Sequence, residues 1–91
     1  MELNFNFVEG EGWVAEFQAT GDFNLHVERK GTGFIVVKQR GTETGAYEDA
    51  WAKGIFEGAM VIDRDFGALV YPKWIKVLSG SEVTNGVVTF G

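Results

Sequence analysis

Apolar residues recur at every second position in three successive stretches near the start of the chain. Leu3, Phe5 and Phe7 alternate with Asn4 and Asn6. Trp13, Ala15, Phe17 and Ala19 alternate with Val14, Glu16, Gln18 and Thr20, and Phe23, Leu25 and Val27 alternate with Asn24, His26 and Glu28. A period of two belongs to extended chain with one face on a core and the other in water. Glycine-rich turn signals (Glu9-Gly10-Glu11-Gly12, Thr20-Gly21-Asp22, Lys30-Gly31-Thr32-Gly33) separate the stretches at intervals of about 8–12 residues, the rhythm of a sandwich or barrel.

The same reading extends downstream. Phe34 to Arg40 is apolar on both faces at first and polar at Lys38-Gln39-Arg40, so it starts inside a sheet and ends at its rim. Gly58 to Asp65 centres on Val61 and Ile62. Pro72 marks an edge or bend after Phe66–Tyr71. Trp74 to Leu78 is rich in aromatic and β-branched residues. Glu82 to Phe90 contains Asn85-Gly86, which signals either a hairpin or a bulge. Residues 46–53 are ambiguous. Tyr47 and Trp51 stand at helical spacing, but Tyr47, Asp49 and Trp51 also alternate; eight residues between glycines make a weak helix, so an extended segment is preferred over a short helix. No helix–strand alternation appears, which argues against a parallel α/β fold. The expectation is one all-β domain over residues 1–91. It is a small antiparallel β-sandwich, jelly-roll-like or a squat barrel, of seven or eight short strands.

Composition narrows the function. With 91 residues the domain buries only about 60–65% of its unfolded surface. It has no cysteine, so neither disulfides nor thiolate-bound zinc stabilise it. The net charge of −5 and the lack of any basic run beyond Arg29-Lys30 argue against nucleic acid as a partner. The start of the chain does not read as a signal peptide, and no apolar stretch approaches the ~20 residues of a spanning helix. Cytoplasmic synthesis, with incorporation into a larger particle, is expected; a membrane partner is not.

Catalytic groupings are scarce. His26 is the only histidine and lies on the polar phase of its strand, while the only serines, Ser79 and Ser81, flank Gly80 in a turn and lack a nucleophile-elbow context. Asp63 and Asp65 share one strand face about 7 Å apart, which suits a solvated strand end better than a calcium site. The glycine turns lack the following helix and the Lys-Ser/Thr that phosphate cradles need. No catalytic residue, metal site or cofactor is expected, and the chain reads as a non-enzyme.

Aromatic residues are the surplus: eight Phe, three Trp and two Tyr. The phenylalanines mostly fall on inward phases, whereas Trp51, Tyr71 and Trp74 lie in less regular stretches. These three are the candidate binding residues, for a protein interface or for stacking on sugar rings. The first strand, Glu2 to Val8, has two asparagines and no lysine, an edge open to a neighbour's sheet.

The segments Asp22–Arg29, Val37–Arg40 and Tyr71–Val77 together resemble the small β-sandwich accessory proteins of tailed bacteriophage particles. That resemblance implies a head, connector or decoration protein acting through protein subunits, itself included, as a homo-oligomer. The Pro72–Val77 run is also similar to the closing strands of jelly-roll binding modules. The resulting expectation is a structural or interaction protein, with a carbohydrate-binding module as the alternative.

Overall fold

Among the described residues the alternation resolves into eight strands and no helix. The computed structural model describes residues 1–50, 57–67 and 70–91. The strands are β1 (Asn6–Val8), β2 (Gly12–Ala19), β3 (Phe23–Arg29), β4 (Ile35–Arg40), β5 (Glu48–Asp49), β6 (Val61–Phe66), β7 (Lys73–Ser79) and β8 (Val83–Phe90). They form a five-stranded antiparallel sheet in the order β1-β2-β7-β4-β5 and a three-stranded antiparallel sheet in the order β6-β3-β8. The all-β sandwich is therefore the fold of the chain.

Registers follow the hydrophobic phase. Val77 lies between Ala15 and Val37, and Leu25 faces Val88. The inward residues of both sheets merge into one core, in which Leu25, Val27, Val37, Ile75, Val77 and Val88 have no exposed surface. Each such side chain contributes about 1.5–3 kcal/mol of transfer free energy. A slip of one residue would turn the whole set to solvent, so the core fixes the register. Aromatic rings close one end: Phe23 stacks on Phe66 at 5.1 Å and meets Phe17 edge-on at 5.2 Å.

One local feature departs from the sequence reading, and two points that it left open are decided. The first strand divides in two. Met1–Leu3 pair with β8, through Val88 N donating to Met1 O and Leu3 N donating to Gly86 O, both at 2.8 Å. Asn6–Val8 then pair with β2 in the other sheet. Phe5 sits between the two pairings, and a Cβ on Gly86 would lie 2.7 Å from its ring, so glycine there makes room for it. Asn85-Gly86 is not a hairpin tip; β8 runs through it, with Thr84 as the extra residue of a bulge, because Val83 faces Arg29 and Asn85 faces Glu28. Ala46 to Ala50 is extended and includes β5, against the short-helix alternative; residues 51–53 of that stretch lie outside the described residues.

Arg29 is the least expected core residue. It continues the inward phase of Val27 at the end of β3 and is 3% exposed. Its Nη1 donates to the carbonyls of Gly33 (3.0 Å) and Phe34 (3.2 Å) and to Ser79 Oγ (3.3 Å), and its Nη2 donates to the Ala59 carbonyl. Ser79 Oγ in turn donates to Ser81 O at 2.8 Å. One guanidinium thus ties β3, the β3–β4 loop, β7 and the approach to β6, and the acceptors offset the cost of burying it. Removing it orphans carbonyls. Arg29→Met is expected to cost about 2–4 kcal/mol and to lower the melting midpoint by at least about 10 °C. Lys30→Met, at the adjacent exposed ion pair with Glu82, should cost no more than about 1 kcal/mol. Urea and thermal unfolding of the two variants decide; equal, small losses would show that the clamp contributes little.

Candidate functional site

The candidate aromatics do not form one surface. Trp51 lies outside the described residues. Tyr71 is half-buried against the core, and its hydroxyl donates to Asp22 Oδ1 at 2.9 Å; burial first and then this carboxylate raise its pKa. Trp74 alternates with core residue Ile75, so it faces out from β7, between Gln18 on β2 and Arg40 on β4. Tyr71 packs inward and Trp74 outward.

Trp74 belongs to a patterned outer face of the five-stranded sheet. One cross-strand row is Val14, Leu78 and Val36, a second small apolar cluster covered by Phe34. The next row is Glu16, Lys76, Lys38 and Asp49. The Arg40 guanidinium lies 4.3 Å from the centre of the Tyr47 ring and Lys76 Nζ lies 5.5 Å from it, while Lys76 also donates to Glu11 Oε1 at 2.6 Å. Burial raises the Tyr47 pKa above its ordinary value. This cationic group around one ring was invisible in the sequence, where its members are scattered over nearly forty positions.

The sheet edges differ sharply. β5 is two residues long and both are acidic. β6 carries Asp63 and Asp65, and Arg64 occupies the inward phase between Ile62 and Phe66 with its guanidinium 6.0 Å from the Phe66 ring. Charges on an edge, inward-phase ones included, discourage further strand pairing. β8 is covered by Met1–Leu3. Among the described residues β1 has none of these guards: it reads Asn6, Phe7, Val8, all exposed, and Phe7 is 62% exposed with its ring 5.5 Å from that of Trp13 at 64°. The β1–β2 turn depends on Gly12, whose φ is +99° and whose added Cβ would lie 2.5 Å from Ser79 O.

The outer face of the three-stranded sheet carries a polar chain. His26 Nδ1 is 2.9 Å from Asp63 Oδ2, and its Nε2 is 3.0 Å from Glu28 Oε2. Asn24 Nδ2 donates to Asp63 Oδ1 (2.7 Å) and Asp65 Oδ1 (2.9 Å), and Asn85 Nδ2 donates to Glu28 Oε2 (3.1 Å). Only imidazolium donates from both nitrogens, so the hydrogen bonds to Asp63 and Glu28 raise the His26 pKa. Asn24 and His26 hold Asp63 below its ordinary value, and Asn85 and His26 do the same for Glu28. The Asp63 and Asp65 carboxylates that sequence spacing placed on one face thus share an amide donor. Among the described residues no three or more His, Asp or Glu side chains are placed to hold a metal ion. Ser79 is buried in the other sheet and tied to Arg29 and Ser81, and both ring nitrogens of His26 face carboxylates rather than a serine.

No protein-family model, curated protein or solved structure matches the chain. Among the described residues no helix is long and apolar enough to cross a membrane.

The histidine chain sets a pH dependence. A raised folded-state pKa gives stability that is complete below the unfolded value of about 6.5 and is lost as pH rises through the folded value. The lowered Asp63 and Glu28 act oppositely: their contribution is complete above about 4.5 and is lost as pH falls through their folded values. The network is therefore worth most between about pH 4.5 and 6.5, and salt weakens it because the groups are solvated. The stability difference between wild type and His26→Asn should be larger at pH 5.5 than at pH 8.0 in low salt. A pH-independent difference in melting midpoint would contradict this.

Proposed function

We propose that this chain is a non-catalytic structural subunit that works through protein–protein contacts. In this reading it assembles with copies of itself and forms part of a tailed-bacteriophage particle as a head, connector or decoration protein. The placement of its exposed apolar side chains carries the reading. Phe7, Val8, Met60, Val61 and Phe90 are 39–62% exposed, and they lie at strand edges or strand ends. Apolar side chains exposed on the edges and ends of strands are surface that subunits can bury on assembly. The small size of the core adds to this, since a neighbour's surface would complete it. The particle assignment draws on the resemblance of Asp22–Arg29, Val37–Arg40 and Tyr71–Val77 to phage accessory sandwiches.

Sedimentation equilibrium tests the assembly. The 10.0 kDa chain is expected to reach a multiple of its own mass as concentration rises, and a monomer persisting to about 1 mM would overturn the reading. For the particle, the coding sequence is expected to lie among head and tail genes; any other neighbourhood removes that part.

A second reading, a carbohydrate-binding module, has one observation in its favour. Trp74 is set on a solvent-facing sheet between Gln18 and Arg40, a ring flanked by hydrogen-bonding side chains. In that case Trp74→Ala should weaken glycan binding at least about tenfold, one lost stacking contact of roughly 1.4 kcal/mol, with the melting midpoint little changed. Silence of the wild type on a broad glycan array would sink it.

A further inference from the structure

We infer that copies of this chain join through β1, paired antiparallel with β1 of a second copy about a two-fold axis at Phe7. This rests on the self-assembly reading and names its seam.

Backbone direction comes first. In the β1–β2 turn Glu11 N donates to Val8 O at 3.0 Å, so the Val8 carbonyl faces β2. Along an antiparallel strand, successive residues turn their N–H and C=O to opposite sides. Phe7 therefore presents its N–H and C=O to the open side of the sheet. Two strands related by a two-fold axis at Phe7 exchange both bonds: each Phe7 N–H donates to the other Phe7 C=O. Asn6 then lies opposite Val8 of the second copy, and the two five-stranded sheets become one of ten strands. Such a contact is isologous and closes on itself.

The side chains agree with this pairing. Phe7 stands beside Trp13 in the β1–β2 register, with their rings 5.5 Å apart. The two-fold brings the Phe7 side chains to directly opposed positions, about 5.5 Å between Cα atoms. Two Phe7–Trp13 pairs then form a single cluster of four rings, and the 62% exposed face of Phe7 is covered.

Charge identifies the occupant as a second copy. The chain carries −5, so two copies repel wherever acidic surfaces meet. β5 offers Glu48 and Asp49, and β6 offers Asp63 and Asp65. β8 is uncharged too but is covered by Met1–Leu3, which leaves β1 as the uncharged open edge among the described residues, and its three residues with an aromatic centre fit their own two-fold image. A ladder this short buries less than the roughly 1,000 Å² of a stable pair. The expected dissociation constant is on the order of 100 µM, an affinity that repeated copies in an assembly would multiply.

Sedimentation velocity from about 10 µM to 1 mM tests the seam, with Phe7→Lys and Phe7→Pro beside the wild type. Phe7→Pro removes the outward N–H, which β2 does not use, together with the ring, and an unchanged amide NMR spectrum elsewhere verifies each fold. The wild type should dimerise with rising concentration, both variants should need at least tenfold more protein, and Thr89→Lys, on the exposed outer face of β8, should behave as wild type. In a sample mixed from differently labelled wild-type chains, isotope-filtered NOEs should connect Phe7 to Phe7 of the second copy. If the wild type associates but the variants associate equally, or the intermolecular Phe7 NOEs are missing, the seam is wrong while the self-assembly reading stands. If the wild type stays monomeric throughout, both fall.

Discussion

A guanidinium buried where a sandwich would ordinarily place an aliphatic side chain holds this molecule's parts in relation. Arg29 sits where β3 ends, and its hydrogen bonds run to the β3–β4 loop, to Ser79 on the opposing sheet and to the carbonyl of Ala59. Hydrophobic burial between the sheets is non-directional and does not by itself fix where loops lie. A planar cation with several donors does fix them, because each carbonyl must stay within hydrogen-bonding reach or lose its partner. Backbone bonds reinforce the same end: Arg29 N donates to Met60 O, Lys30 N to Glu82 O and Gly33 N to Glu57 O.

Fastening is uneven around the sandwich. On one side the amino-terminal segment passes from the three-stranded sheet to the five-stranded one, pairing with β8 and then with β2. That segment covers the β8 edge but leaves β1 as a new outer edge. β5 and β6 bear charge, and β1 bears none. At β1, open backbone groups and exposed apolar side chains coincide without a charge on the strand. An edge without such guards is open to pairing with another chain, and the edges of this sandwich differ in that respect.

Much of the fold was legible because period-two alternation reports directly on a buried sheet face. Phe23, Leu25 and Val27 were read correctly as the inward set of their strand, and continuing that phase two residues further would have placed Arg29 in the core as well. What could not be read was why a charge is tolerated there, since its acceptors come from Gly33, Phe34, Ala59 and Ser79. The candidate site was less legible. Trp74 was singled out for its type, but its neighbours Gln18 and Arg40 became visible only through strand pairing. His26 was placed on the solvent face correctly, and its partner Asp63 was missed for the same reason, since Asp63 lies on the paired strand, whereas Glu28, two residues on in β3, was within reach of the alternation. Phe7 was counted among inward phenylalanines, yet at a sheet's edge the inward phase has nothing above it.

The sequence alone determined that this chain is all-β, that its strands are short and separated by glycine turns, and, away from the sheet edges and Arg29, which residues face the core. Those properties depend on spacing within a segment and on local backbone preference, and a one-dimensional pattern carries both. Tertiary structure alone decided the strand order, the split of the first strand between two sheets, the acceptors around Arg29, the chain of groups around His26 and the identity of the unguarded edge. Each of these depends on which segments pair across the molecule. Pairing is chosen by the collective packing of both sheets, so no single stretch of sequence records it.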